Sequence, residues 1–329
     1  MSALVQVGRI GPSTALFVAP HAFAPLEAAI GWIEDDPAIR AAFAERVDDW
    51  HDLGTLEALD AATARARAPG LRTSVPRALV DLNRGWRGRE EKVETLFGKG
   101  AVDAWVRQHL RVGAQEEVEE WYRAALAEVR AAAAGARVLV ELHSYGDLGS
   151  TYDRNSGGRP MLRPEASVVY GAPWATAYPV GLSRLVPASL RGTRWQMEAR
   201  LGAALAVHGI ELGPSPYPIL LPWNLSARFL AERWFRWLGA SGRLPERTAA
   251  RLADLAWTDE QAEVVDELPG AAGLATELTA WSHHGAELVA AFHEQDGSGT
   301  LGVELRIDLR DRAPAFGEAV AEAVVPPER

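Results

Sequence analysis

A short apolar segment that ends in polar residues is the feature that most constrains the fold. Val138, Leu139, Val140 and Leu142 form a near-continuous β-branched and aliphatic run, followed by His143-Ser144-Tyr145 and a break at Gly146. Such a run is typical of a strand buried on both faces of an α/β sheet. In open parallel sheets, ligands bind beyond the carboxyl ends of the strands. The sequence therefore predicts that His143 lies at a functional edge of a sheet.

A second apolar run, residues 14–21, also ends in a histidine, His21. Two neighbouring strands of this kind would bring two imidazoles to one edge of the sheet, where they could bind a metal ion. A single histidine at a strand end is more often a hydrogen-bonded structural residue. The prediction of a site therefore rests on the pair.

The alternation of strand-like and helical segments predicts the fold class. Residues 77–84 form a third strand-like run that ends in Asn83 and Arg84, and a helical stretch over 115–134 leads directly into the strand that carries His143. Strands that alternate with helices favour an α/β fold with a largely parallel sheet. The other predicted elements are helices at 25–33, 37–46, 56–67, 193–208, 224–238 and 245–256, a strand at 167–170, and a β-hairpin that joins 287–294 to 301–309.

The amino-acid composition limits the possible metal ligands and binding partners. The 329 residues include no cysteine, so thiolate catalysis and thiolate metal sites are excluded, and any metal must be held by His, Asp and Glu. A formal net charge of -10 argues against nucleic acid or an anionic membrane as a main partner. No apolar run approaches the length of a membrane span, and the N-terminal residues carry no leader pattern. We therefore expect a cytoplasmic enzyme.

Hydrolysis of an unactivated amide requires a nucleophile, an electrophile and a base in one place. A zinc ion held by two histidines and a carboxylate would supply the first two, and a glutamate free of the metal would supply the base. An arginine with an asparagine would bind a carboxylate or a developing oxyanion. No serine-nucleophile elbow, phosphate-binding loop or dinucleotide fingerprint competes. The candidates for these roles are His21, Asp52, His143, Glu304, Asn83 and Arg84.

Three of these candidates also have an ordinary structural interpretation. Asp52 precedes a predicted helix and could cap it, and Asn83 could form a turn. Glu304 lies between Val303 and Leu305 and could belong to the polar face of an alternating strand. The sequence alone leaves both interpretations open.

Four segments, in order, resemble the N-formylglutamate amidohydrolase family: residues 18–22 (VAPHA), 80–84 (VDLNR), 141–144 (ELHS) and 303–309 (VELRIDL). They are also similar to the wider zinc carboxypeptidase and aspartoacylase group. The resemblance spans about residues 14–310. It implies a zinc-dependent hydrolase with a single catalytic domain over 1–329, built as a central, mostly parallel mixed sheet flanked by helices, as in zinc exopeptidases (phosphorylase/hydrolase-like).

The same resemblance implies roles for individual residues. It assigns His21 and His143 as metal ligands, Glu304 as the general base, and Asn83 with Arg84 as substrate-binding residues. Arg84 is also expected to act in catalysis, and Ser144 and Tyr145, which follow the metal histidine, are expected to contact the substrate.

Two positions depart from the pattern. Carboxypeptidases place a metal-binding glutamate three residues after the first histidine, where this chain has Ala24. We therefore assign the third ligand to Asp52, with Asp48, Asp49 and Glu27 as alternatives. The amidohydrolases often have Pro-Tyr-His on the helix before the His-Ser strand, whereas this chain has Trp-Tyr-Arg at 121–123, so Arg123 could reflect a different substrate.

These observations predict a zinc amidohydrolase that cleaves an N-acyl bond of a small carboxylate-bearing substrate, with N-formyl-L-glutamate as the best candidate. One divalent ion is expected, and manganese, iron or cobalt could replace zinc. An alternative is a zinc carboxypeptidase or deacylase for peptides or modified amino acids, whose wider pocket would be built by residues 173–187 and 224–238. A further alternative, favoured by Ala24, is a non-catalytic binding protein that keeps the fold.

Overall fold

The described residues of the computed structural model form one mixed β-sheet. The description covers residues 3–8, 14–86, 100–148, 162–169, 195–216, 224–258, 267–278 and 283–325, with 182, 185–187, 189–190, 192–193 and 265. The strands are β1 Leu4–Val7, β2 Ala15–Ala19, β3 Gly70–Thr73, β4 Val138–Tyr145, β5 Ala166–Val169, β6 Leu212–Gly213 and β7 Gly299–Arg306. Their order across the sheet is β1-β3-β2-β4-β7-β5-β6.

The centre of this sheet is parallel. β2 is parallel to both β3 and β4, and β4 is parallel to β7. The outer strands make the sheet mixed, because β1 runs antiparallel to β3 and β5 antiparallel to β7. The predicted α/β fold with a mostly parallel mixed sheet is confirmed.

Helices cover both faces of the sheet. They are α1 Pro37–Trp50, α2 Thr55–Ala66, α3 Ala104–Gln108, α4 Ala114–Ala133, α5 Trp195–Val207, α6 Leu225–Ala240, α7 Glu246–Leu255, α8 Ala271–Glu277, α9 His283–Gln295 and α10 Ala313–Val324, with 3-10 helices at Leu26–Trp32 and Ile307–Arg312. One face, with Val18 and Leu139, belongs to a core shared with α4 and α6. The other face, with Phe17 and Leu142, belongs to a core shared with α2, α5 and α10. Alternate residues of β2 and β4 thus point into two different apolar layers, which explains their nearly unbroken apolar sequence.

The prediction of a strand over residues 77–84 is wrong, because this segment forms successive turns. Pro76 begins the segment, and its carbonyl accepts hydrogen bonds from the backbone N–H groups of Leu79 and Val80. The Asp81 side chain then accepts from the backbone N–H of Asn83 at 2.9 Å. Such a local bond from an Asp side chain to the backbone two residues on favours a turn over a strand. The strand of this region, β3, lies just before it.

The predicted hairpin between residues 287–294 and 301–309 is also wrong. The first segment belongs to helix α9, in which Leu288, Val289 and Phe292 are buried. These positions have helical spacing, so one face of α9 packs on the core. The chain leaves the helix through Gly297, whose φ of +74° is a conformation that glycine adopts without strain. β7 follows and pairs with β4 in parallel instead of with its sequence neighbour.

Some predictions fall on residues outside the description. Most of the aromatic-rich segment 173–187 and the last residue of the predicted strand 167–170 lie there. Within the described ranges, no helix combines the length and the hydropathy that crossing a membrane would require.

Candidate active site

Three segments of the chain meet at the carboxyl edge of the two central strands. His21 follows β2, and His143 lies near the carboxyl end of the neighbouring strand β4. Asp52 lies between α1 and α2, and its backbone N–H donates to the carbonyl of His21 at 2.9 Å. The two imidazole rings have centroids 4.8 Å apart. Parallel strand order thus brings together residues that are far apart in the sequence.

The Asp52 carboxylate lies between the two histidines. Its Oδ2 is 3.1 Å from His143 Nδ1 and 3.4 Å from His21 Nδ1. All three side chains are buried, and their ligand atoms lie within 4.8 Å of one another. The three predicted metal ligands therefore form a cluster with two imidazole nitrogens and one carboxylate oxygen.

Asp52 is not a helix cap in this structure. Helix α2 begins after Gly54, and no side chain caps its first turn. The alternative third ligands, Asp48, Asp49 and Glu27, are all exposed, and none belongs to the cluster. Ala24, where carboxypeptidases have a ligand, is buried. Asp52 thus places a carboxylate in the cluster, which Ala24 cannot do.

A second carboxylate contacts the far side of each imidazole. Asp81 Oδ1 lies 2.8 Å from His21 Nε2, and Glu141 Oε2 lies 3.3 Å from His143 Nε2. A carboxylate on Nε2 favours the tautomer that carries its proton there, which leaves the Nδ1 lone pair directed at the cluster. Sequence reasoning missed both acids, although both lie within segments that it quoted.

The electrostatics of the cluster fit a bound cation. Burial alone would raise the pKa of Asp52, but hydrogen bonds with His143 and His21 hold it well below its usual range. Burial alone would lower the pKa of His143, but hydrogen bonds to Asp52 and Glu141 raise it to about 10. Without a metal, the site therefore holds a proton on His143 as its counter-charge. Two histidines and one carboxylate form a donor set that zinc uses in sites that keep one position open.

Two arginines brace the carboxylates. Arg77 donates to Asp52 Oδ1 at 3.1 Å and, through Nε, to Asp81 Oδ2 at 3.4 Å. Arg84 Nε donates to Asp81 Oδ2 at 2.9 Å. Sequence reasoning missed Arg77, although it is the first residue of the segment 77–84 that contains Asp81.

A cavity of about 450 Å³ opens beside the cluster. Arg77, Arg84, Asp52, Ser144 and Tyr145 contribute to its lining. The predicted substrate contacts Ser144 and Tyr145 thus lie at the cavity, whereas Asn83, which was predicted with them, is not among its described lining residues. The volume is within the range of small-molecule sites, roughly 300–1,000 Å³.

Glu304 lies next to His143 across the sheet. The two residues are register partners in the parallel pair of β4 and β7, so their side chains lie on one face. Val303 and Leu305, on either side, point into the opposite core. Burial raises the pKa of the Tyr145 phenol above its usual value, and the nearby charge of Glu304 acts in the same direction. The predicted base is thus half-buried on the same face of the sheet as His143.

Arg123 does not take part in this site. Its side chain is 74% exposed and pairs with Glu119 one turn earlier on α4. The neighbouring Tyr122 is buried instead, and its hydroxyl donates to the carbonyl of Arg84 at 2.7 Å. The prediction that Arg123 reflects a different substrate is not supported, because α4 turns this side chain to solvent.

Comparison with known proteins identifies the family of this chain. The family model described as N-formylglutamate amidohydrolase matches residues 13–207, which is more than half of the chain. The chain belongs to the N-formylglutamate amidohydrolase family. As a member of that family it is a hydrolase that acts on amide bonds. The match includes His21, Asp52 and His143 and ends before Glu304.

Two solved structures show a low similarity to this chain. N-formylglutamate amidohydrolase from Ralstonia eutropha is 13% identical, with 99% of this chain and 96% of that chain covered and a TM-score of 0.49. A gene product of Agrobacterium tumefaciens is 16% identical, with 98% and 94% covered and a TM-score of 0.41. No curated protein sequence matches the chain. The family assignment therefore depends on the family model.

Proposed function

We propose that this enzyme is a metal-dependent amidohydrolase that cleaves the N-acyl bond of a small amino acid derivative, with N-formyl-L-glutamate as the leading substrate. The observation that carries the proposal is the convergence of His21, Asp52 and His143, each histidine backed by a further carboxylate, in a member of an amidohydrolase family. The products would be glutamate and formate, formed by addition of water and cleavage of the C–N bond.

His21, Asp52 and His143 would hold one divalent ion, for which zinc is the best candidate. When bound, such an ion polarises the substrate carbonyl and lowers the pKa of a water molecule, the two effects that amide hydrolysis needs most. In the metal-free protein, Arg77, Arg84 and the proton on His143 neutralise the carboxylates of the site. This arrangement keeps three buried carboxylates ionised and close together, which unpaired carboxylates could not sustain.

Glu304 is proposed as the general base. Its position beside His143, on the same face of the sheet, would let it accept a proton from the attacking water and deliver that proton to the leaving nitrogen. Arg84 and Arg77, which line the cavity, would bind the substrate carboxylate or the developing oxyanion. The Tyr145 hydroxyl, whose raised pKa keeps it protonated, donates to the carbonyl of Pro164 at 2.7 Å and helps to shape the wall.

Replacement of the base tests this proposal. Glu304→Gln keeps the size of the side chain and removes its basicity, so we expect turnover of N-formyl-L-glutamate to fall by about 100-fold or more. Bound zinc, measured on the same sample, should remain at the wild-type level. Glu318→Gln makes the same chemical change on the exposed surface of α10 and serves as the control. Full activity in Glu304→Gln would overturn the assignment of the base.

One observation favours a second candidate substrate. Trp50 lines the cavity, is 36% exposed, and is held by the Arg46 guanidinium 4.2 Å from its ring centroid. A partly exposed indole of this kind suits an aliphatic or aromatic group. A bulky N-acyl group of a deacylase substrate would contact this indole, whereas a formyl group is too small to do so. Trp50→Ala should then lower kcat/KM for an N-benzoyl substrate and leave the N-formyl substrate unchanged.

A further inference from the structure

Glu141 forms three buried contacts behind the candidate metal cluster. Its Oε2 accepts from Asn83 Nδ2 at 2.7 Å and lies 3.3 Å from His143 Nε2. Its Oε1 accepts from the backbone N–H of Ser226. The residue is 1% exposed, so water does not replace these partners. Donors from three different segments therefore hold this carboxylate in one orientation.

Asn83 is engaged at both ends of its amide. Its Nδ2 donates to Glu141, and its Oδ1 accepts from the backbone N–H of Leu225 at 3.2 Å. The side chain is buried, with 4% of the residue exposed. For Asn83 to reach a substrate, at least one buried hydrogen bond would have to break, which is costly. Neither Asn83 nor Glu141 is among the described residues that line the cavity.

Leu225 and Ser226 are the first two residues of helix α6. Backbone N–H groups in a first helical turn have no acceptor within the helix, and the helix dipole favours a negative charge there. The backbone N–H groups of Leu225 and Ser226 thus find their acceptors on Asn83 and Glu141, outside the helix. Farther along α6, Arg228 donates to the Tyr122 hydroxyl at 2.8 Å. That hydroxyl in turn donates to the carbonyl of Arg84. Helix α6 lies beyond the residues that the family model matches.

We propose that Glu141 is a positioning residue, clamped by the first turn of α6 and by Asn83, that holds the His143 imidazole with Nδ1 directed at the metal cluster. Asn83 acts through Glu141 and through its own Nδ2, which lies 3.3 Å from His143 Nε2, and it does not bind the substrate. This inference rests on the proposed metal-dependent function. It predicts that changes to Glu141 or Asn83 act first on metal affinity, because a wrongly oriented imidazole is a poorer ligand.

The experiment measures zinc affinity by competition with a chelator in the full-length protein. Glu141→Gln keeps the volume of the side chain but turns an N–H donor toward Ser226, Asn83 or His143, each of which already presents a donor. We expect zinc affinity to fall by about 10–100-fold in Glu141→Gln and in Asn83→Ala. The double variant should lose less than the two single losses combined, because the two residues act as one unit.

Thr248→Val is the matched control. It removes a buried hydrogen bond, from the Thr248 hydroxyl to the Pro269 carbonyl at 2.9 Å, in helix α7 and away from the cluster. Its zinc affinity should stay within about two-fold of the wild type, which separates a loss of positioning from a general loss of stability.

The outcomes distinguish the inference from the function on which it rests. Zinc binding in the wild type with unchanged affinity in Glu141→Gln would overturn the positioning role and leave the proposed function in place. Asn83→Ala with wild-type zinc affinity and a raised KM at saturating zinc would show that Asn83 binds substrate. Failure of the wild type to bind zinc, or any divalent ion, would overturn the proposed function and this inference with it.

Discussion

The pH dependence of stability in the metal-free protein provides a direct test of the electrostatics around His143. Contacts with Asp52 and Glu141 outweigh burial and raise the pKa of His143 to about 10, from an ordinary value of 6.5. Above pH 6.5 the unfolded chain releases this proton while the folded protein keeps it. Stability from this group is therefore complete below about pH 6.5 and is lost progressively as the pH rises toward 10.

The magnitude follows from proton linkage. While one extra proton remains on the folded state, the free energy of unfolding falls by about 1.4 kcal/mol per pH unit. Between pH 6.5 and about pH 8 the loss is about 2 kcal/mol. The pKa of Asp52 is lowered, so its contribution is present above the ordinary carboxyl range and is lost only in more acidic solution. Asp52 therefore does not offset the effect in this window.

Urea unfolding of chelator-treated protein at pH 6.5 and pH 8 measures the effect. His143→Gln, which cannot be protonated in this range, supplies the background from all other groups. We expect the wild type to lose about 2 kcal/mol more than this variant between the two pH values. Equal losses in both proteins would refute the assignment of a raised pKa to His143.

Two further predictions concern the metal and the substrate. Zinc binding at pH 7 should release about one proton, because a metal-bound imidazole must lose the proton that His143 carries in the metal-free protein; calorimetry in buffers of different ionisation enthalpy measures this, and buffer-independent heats would contradict it. Arg123→Ala should change kcat and KM by less than about two-fold, because its exposed pair with Glu119 is worth only a few tenths of a kcal/mol. A clear rise in KM would instead place Arg123 at the substrate.

Sequence reasoning predicted the two histidines because the strands that carry them have a simple signature. The runs before His21 and His143 are apolar on both faces, and parallel strands place their carboxyl ends together. Asp52 required the resemblance to a family and a choice among four acids, since no periodic pattern governs a loop. In the structure, a backbone bond to His21 and the end of α1 decide which acid points inward.

The wrongly predicted strand and hairpin share one cause. Local side-chain hydrogen bonds, or pairing with distant strands, determined the structure more strongly than the pattern of apolar and glycine residues. The Asp81 side chain folds its own segment into a turn, where apolar content suggested a strand. In α9, the positions of Leu288 and Phe292 fit helical spacing, but a nearby glycine-rich stretch suggested a hairpin. β7 pairs with β4, which lies more than 150 residues earlier, and no local pattern reveals such a partner.

Asp81 and Glu141 illustrate what a closer reading of the sequence could have recovered. Glu141 lies inside a strand that is otherwise apolar, and a buried carboxylate requires hydrogen-bonding partners. It also precedes His143 by two residues, which places both side chains on one face of the strand. The role of α6 could not be recovered in this way, because its contacts with Asn83 and Glu141 use backbone N–H groups that carry no side-chain signal.

The central claim is that His21, Asp52 and His143 bind one catalytic metal ion. Elemental analysis of the wild type and of His143→Ala, both purified without added metal or chelator and then equilibrated with zinc, tests it most directly. The account predicts about one zinc ion per wild-type chain and a large loss in the variant. Equal metal content in the two proteins, or none in the wild type, would contradict it.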